Sequence, residues 1–421
     1  MDGRESDAAA LTADDLRRVQ RRTVWILSAG QVLGGLAFGA TLSLGAVLAA
    51  QLSGNDSFSG LAAAAVTLGT AVFAIPLAAL ARRSGRRLSL TAGMAIALIG
   101  VVLVVTAVVI ESFPLLLAAF LIIGAGQSAN LQSRFAATDL ATDASRGRDL
   151  SIVVWATTIG AVLGPNLTGP GEAVGAALGM PPLTGPYVFT IVAQVLGIAL
   201  YLVALRPDPL LTAQHAVAQE ASARTSNAIA KADQPVVARY AIFAVAAAHG
   251  VMVSVMAMTP VHLLHHGADL TIIGLTISLH VLGMFAFSPV FGILSDRVGR
   301  VQTILIGQGL LVAALLTASF GQDSTFAVTV GLMLLGLGWS ASTVAGSALL
   351  TEASSEAMRT RRQGLSDFVM SIVAAAGAIL AGVVLGWIGY GGLALVVGIA
   401  VIAVVGLAPL GRTPAPAVER G

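Results

Sequence analysis

The residues most able to do chemistry in this sequence are soft donors in two neighbouring apolar segments. Met252 and Met256 lie four apart in the first, with His249 three before Met252; His280 and Met284 lie four apart in the second. On an α-helix, residues three and four apart share a face. His249, Met252 and Met256 therefore form one stripe, and His280 and Met284 another. Thioether and imidazole make a ligand set suited to Cu(I). If the two segments are antiparallel membrane helices, Met252 and His280 come to a common depth, roughly 12–14 Å below the outer boundary, with Met256 shallower and Met284 deeper. Such a ladder of few-ligand sites can hand a soft ion along, whereas a closed four-ligand cage would retain it. His265 and His266 stand at the outer mouth, where metal collection and proton binding are both open to them. His249 lies deeper than Met252, with the same two roles available. Packing is the competing explanation for the methionines, because a flexible thioether fills core gaps well. Ionisable groups inside a membrane, in contrast, generally mark function. His262 reads as an ordinary loop residue.

Composition sets the frame for these donors. The chain has 421 residues, 56% hydrophobic and 10% charged, with mean hydropathy +0.88. That balance belongs to a polytopic membrane protein. The 47 glycines suit close helix approach in a bilayer. There is no cysteine, which excludes disulfides, thiolate metal sites and thiol redox chemistry. The sole lysine, Lys231, follows no glycine-rich turn, so the phosphate-binding loop of an ATP-driven pump is absent. Nothing in the pattern suggests an enzyme or a nucleic-acid partner.

A membrane-crossing helix needs about 20 apolar residues. The spacing predicts spans near 23–51, 60–81, 89–110, 114–136, 151–169 and 186–205. Six more follow near 238–262, 270–294, 301–320, 325–350, 366–387 and 390–410. The expected fold is an all-α membrane protein of twelve transmembrane helices in two six-helix halves. Its parts are an N-terminal tail 1–22, a bundle 23–205, a central loop 206–236, a bundle 237–410 and a tail 411–421. The run 23–51 is too long for a signal-peptide core. Basic residues orient the chain. With both termini inside, the cytoplasmic segments are the tails, 82–88, 138–150, 206–238, 295–300 and 352–365. They hold nearly all the arginines, and Arg134 lies at the same end of its helix. The external loops hold Asp56, Glu111, Glu172, Asp269 and Asp323 and no basic residue. This predicts a multi-pass protein of the cytoplasmic (inner) membrane, working as a monomer in the lipid bilayer.

The halves repeat. At an offset of 214 residues, Leu80, Arg83, Gly85 and Arg86 fall on Leu294, Arg297, Gly299 and Arg300. Repeat-built transporters bind their substrate near the midplane, between the halves. Gln127, Asn130 and Arg134 form a polar stripe on the fourth span, expected to line the first-half wall of a central cavity, with interhelical hydrogen bonding as the alternative. Gln31 and Asn166 are further cavity or packing candidates. No Asp or Glu is expected in the middle of a span, since Asp139, Asp296, Glu352 and Asp367 all fall at cytoplasmic ends. That weakens a proton exchanger and suits a cargo that carries its own positive charge.

The loop Gly292-Ile-Leu-Ser-Asp-Arg-Val-Gly-Arg300 resembles the signature loop of the major facilitator superfamily, and the resemblance extends over essentially the whole chain. The first-half copy departs from it, with Arg82 in place of Asp and Ala78 in place of Gly. The resemblance implies a gating role for this loop, resting here on Asp296 with Arg297 and Arg300. Asp139 with Arg146 and Gly147 is similar to the family's loop between the fourth and fifth spans. The arginine common in the fourth span of proton-coupled members is replaced by Phe120. Gly160 to Gly169, containing Gly164 and Pro165, resembles the signature of proton-linked drug exporters; a packing hinge is the alternative. Met252, Met256, His280 and Met284 resemble the donor motifs of the CcoA-like transporters, which include copper importers and, in a sister branch, riboflavin importers. That implies these four as copper ligands, copper as cargo rather than cofactor, and a cytoplasmic copper acceptor. Import of riboflavin or another small organic solute, and drug export, remain alternatives.

Overall fold

The structure is a computed structural model and describes residues 13–55, 58, 60–223, 233–268 and 270–412. Among these, the regular elements are all helical. In order they are α1 (Ala13–Ser53), α2 (Gly60–Val109), α3 (Phe113–Ala136), α4 (Arg146–Asn166), α5 (Thr168–Ala177), α6 (Pro186–Ala204) and α7 (Pro209–Ala223). Then come α8 (Pro235–His265), α9 (Leu270–Phe285), α10 (Ser288–Val298), α11 (Arg300–Phe320), α12 (Thr325–Ala353) and α13 (Glu356–Gly406). Among the described residues, eight helices are long and apolar enough to cross a membrane. Their outward faces carry bare apolar side chains, such as Trp387, Phe320 and Phe326, all about four-fifths exposed. Such surface suits lipid rather than water.

Two helices of 50 and 51 residues are each interrupted, at Gly85 and Gly389. At Gly85 the backbone takes φ 86°, ψ 169° and the chain doubles back, so that Ser89 Oγ donates to Leu77 O at 2.7 Å. Its repeat mate Gly299 takes φ 116°, ψ 156°. A side chain at φ values of this kind is strained, so the shared glycine of the repeat reflects a shared turn.

α1, α2, α3, α4 and α6 pack on one another, as do α8, α9, α11, α12 and α13. The two groups meet where α2 lies against α13 and where α4 lies against α9 and α10.

Four boundaries differ from expectation. The segment 206–236, read as a loop, contains α7. Asp208 caps it, accepting from Leu210 N and Leu211 N at 3.0 and 3.2 Å through Oδ1, while its Oδ2 accepts from Arg87 N at 2.7 Å. The span 151–169 is broken at Leu167 and continues as α5, so Glu172 is helical and accepts from Leu183 N at 2.9 Å. The span 270–294 divides after Phe285, because Pro289 at the start of α10 has no N–H to continue a helix. α13 starts at Glu356 rather than near 366, which places Asp367 three turns inside a helix.

Candidate transport site and gates

Met252 and Met284 are buried in one apolar cluster with Val255, Leu335 and Trp339, and Met256 and Met258 pack against it. His280, four residues before Met284 on α9, is fully buried. Its Nδ1 lies 2.7 Å from the carbonyl of Leu332 on α12. A carbonyl only accepts, so Nδ1 holds the proton and Nε2 keeps its lone pair. That Nε2 is buried and has no hydrogen-bond partner among the described residues. A histidine oriented through one nitrogen by a backbone carbonyl, with the other left bare, is the arrangement found in metal-ligating imidazoles. Met252, Met284 and Met256 thus belong to one apolar cluster, and His280 lies one helical turn from Met284 on α9.

His249 is held differently. The indole Nε1 of Trp339 donates to its Nδ1 at 2.8 Å, so in the neutral ring the proton sits on Nε2. Trp339 in turn meets Phe285 edge-on, at 5.6 Å between centroids. Phe285 also packs on Leu150, Val154 and Val344, which joins the methionine cluster to α4.

At the far end of α8, His266 Nδ1 lies 2.9 Å from His262 O and its Nε2 lies 3.6 Å from Asp323 Oδ1. His262 is not the ordinary loop residue expected. It is buried in α8, stacked on Tyr390 at 4.2 Å, with Nε2 2.8 Å from Gln322 O. The side chain of His265 lies outside the described residues.

The polar stripe of α3 separates into two parts. Gln127 and Asn130, with Thr190 and Gln194, line a void of about 10 Å³ among α1, α2, α3 and α6. That is room for about one water, and it lies inside the first group of helices rather than between the groups. Gln31 donates through Nε2 to Thr157 Oγ1 at 3.3 Å, tying α1 to α4. Arg134 is buried and donates to Asp367 on α13 at 2.5 Å, an interhelical bond of the kind named as the alternative. The side chains of Asn166 and Pro165 lie outside the described residues, and Gly164 is buried in α4.

The remaining predicted gate residues gather at the arginine-rich end. Asp296 accepts from Gly147 N and Arg148 N at 2.9 and 2.8 Å, so a residue of α10 caps the start of α4. Arg300 donates to Asp296 at 2.6 Å, to Glu352 at 3.1 Å and to Asp143 O at 2.6 Å. Arg146 pairs with Asp143 at 2.6 Å, and Arg297 is exposed. Asp139 receives a two-pronged bond from Arg86, at 2.8 and 3.1 Å, with both side chains fully buried. Arg86 also donates to Gln363 on α13 at 2.6 Å. Sequence reasoning missed Gln363 and the depth of Asp367; the repeat offset was the available signal for Arg86, since it pairs Arg86 with Arg300.

The family model for the Major Facilitator Superfamily matches residues 27–268 and 241–420. The MFS-type transporter YdeG of Bacillus subtilis (strain 168) is 36% identical over 397 residues, covering 91% of this chain and 90% of its own. YddS of the same organism is 35% identical over 372 residues, covering 87% and 85%. The riboflavin transporter RfnT of Brucella anthropi is 28% identical over 383 residues, covering 87% and 90%. Among solved structures, the human organic anion transporter MFSD10 (TETRAN) superposes with TM-score 0.76 at 18% identity, covering 92% of this chain and 99% of its own. FucP in the outward conformation gives 0.64 at 15%, covering 93% and 98%. These two establish the fold alone.

Proposed function

This chain belongs to the major facilitator superfamily, and we propose that it imports copper by alternating access across the cytoplasmic (inner) membrane. Dividing α2 at Gly85 and α13 at Gly389, counting α4–α5 and α9–α10 as one span each and leaving α7 outside the bilayer, supports a count of twelve spans. They fall into two halves of six, 23–205 and 237–410, with the tails and the central segment 206–236 in the cytoplasm. The arginine-rich loops support this orientation.

The observation that carries the cargo is the Nε2 of His280, buried and without a hydrogen-bond partner among the described residues, one helical turn from Met284 on α9, with Met252, Met256 and Met284 sharing one apolar cluster. Three thioethers and one imidazole match a soft monovalent ion. Without a carboxylate among them, the site favours release over retention. Entry of one positive charge gains about 2.3 kcal/mol per 100 mV of inside-negative potential, and a cytoplasmic acceptor would draw the ion off. Uptake of labelled Cu(I) into vesicles tests this reading. Wild type should accumulate copper, and His280→Ala should lose at least about tenfold of the rate while inserting normally. Equal uptake by the two overturns it.

Similarity to the riboflavin transporter RfnT over most of both chains supports a second reading, in which the cargo is riboflavin and the Met/His cluster is packing. Rescue of a riboflavin-requiring host by both wild type and His280→Ala would select it.

A further inference from the structure

At the arginine-rich end, the first turns of α8 and α13 enclose a groove of about 250 Å³, lined by Arg239 and Ile242 of α8 and by Met358, Arg361, Arg362 and Leu365 of α13. We propose that this groove binds the headgroup of an anionic phospholipid, with the phosphate held by Arg239 and Arg361 and an acyl chain lying over Ile242 and Leu365.

The charges in the groove are not equivalent. Arg362 is already matched, since its two terminal nitrogens grip Asp233 at 2.7 and 2.6 Å. Those bonds hold the Asp233 carboxyl below the usual carboxylate range, so the pair is neutral as a unit. Arg239 and Arg361 are exposed and pair with no carboxylate among the described residues. One turn further along each helix the lining becomes apolar, Arg239 giving way to Ile242 and Arg361 to Leu365. Residues at this spacing share a face. Each wall of the groove is therefore a cation near the helix start with an apolar residue deeper in. An anionic lipid carries the same order, phosphate above hydrocarbon. A free phosphate would leave the apolar floor bare to water. Both walls belong to helices that are long and apolar enough to cross a bilayer, and basic crevices between such helices are where anionic headgroups lodge.

The test uses the full-length protein in mild detergent. Phosphatidylglycerol should raise the thermal midpoint by about 3 °C, whereas phosphatidylcholine and inorganic phosphate at equal concentration should not. The double variant Arg239→Gln/Arg361→Gln should lose most of that shift, and native mass spectrometry should show about tenfold less retained phosphatidylglycerol. Arg82→Gln/Arg83→Gln, which removes two exposed arginines at the same end of the other half, should keep the full response. If the double variant fails to fold, the two single variants are read the same way. The proposal is overturned if the groove variants respond like wild type, if phosphatidylcholine matches phosphatidylglycerol, or if inorganic phosphate alone reproduces the shift.

Discussion

The two contacts that join the halves occupy equivalent places in the repeat but are built from different materials. Where α10 meets α4, Gly292 lies so close that a Cβ would stand 2.1 Å from Ser151 Oγ, and Asp296 caps α4. Behind them the contact is apolar, made by Leu150, Val154, Val344 and Phe285. Where α2 meets α13, Ala78 takes the place of Gly292 and packs on Gly364, and Arg82 stands exposed where Asp296 would be. Buried charges secure this side instead: Arg86 of α2, held by Asp139 within its own half, donates across to Gln363 of α13, and Arg134 of the neighbouring α3 pairs across with Asp367. Helix starts explain the exchange. α4 begins at Arg146, so the N–H groups of Gly147 and Arg148 need an external acceptor. α13 begins at Glu356, and by the repeat the residues facing Arg82 are already inside the helix with their N–H groups engaged. A carboxylate there would have nothing to cap. The lesson concerns stiffness. Buried ion pairs lose heavily when parted, whereas a helix cap over an apolar patch yields in smaller steps.

The sharpest way to break this comparison is to unpair a buried charge. Asp367→Asn should cost about 3–5 kcal/mol by stranding Arg134, read as a lowered unfolding midpoint, and Arg134→Met/Asp367→Leu should recover much of it. A loss below about 1 kcal/mol would mean that water already reaches the pair. Next in size, Asp296→Asn removes the charge from two cap bonds and from the pair with Arg300 and should cost about 1–3 kcal/mol. Because the chain has no cysteine, Ser288→Cys provides a single reporter thiol in the α4–α10 contact. Its labelling rate should rise in the Asp296→Asn background and stay unchanged with Arg82→Gln. The smallest effect is expected from Arg82→Asp, which restores the family's residue yet should change stability by no more than about 0.5 kcal/mol. A larger gain would show that α13 does offer free donors.

Much of this was legible in the sequence. Apolar run lengths anticipated the long apolar helices, and the 214-residue repeat anticipated the paired turns at Gly85 and Gly299. The spacing of Met252, Met256, His280 and Met284 pointed to one face each of α8 and α9. What could not be read came from partners distant in sequence. The Leu332 carbonyl that fixes the His280 proton, and the Trp339 indole that occupies His249, both lie on α12, and no local period reports them. The Arg134–Asp367 pair could not be read because its partners lie 233 positions apart. Two misses had local signals. The Ala- and Gln-rich stretch that became α7 favours helix and follows Asp208, a good cap. Ser355 before Glu356 marked the early start of α13.

Phe285 has a consequence beyond packing. It is the residue after Met284 and the last of α9, in an edge-on contact with Trp339 of the methionine-containing cluster and packed against Leu150 and Val154 of α4 in the opposite half. Under the proposed alternating access, a rocking of one half against the other would displace this ring, which adjoins Met284 in the chain. By thermodynamic reciprocity, whatever factor that motion applies to affinity for the cargo, the cargo applies to the motion. One benzyl group would then be enough to make loading and rocking a single event.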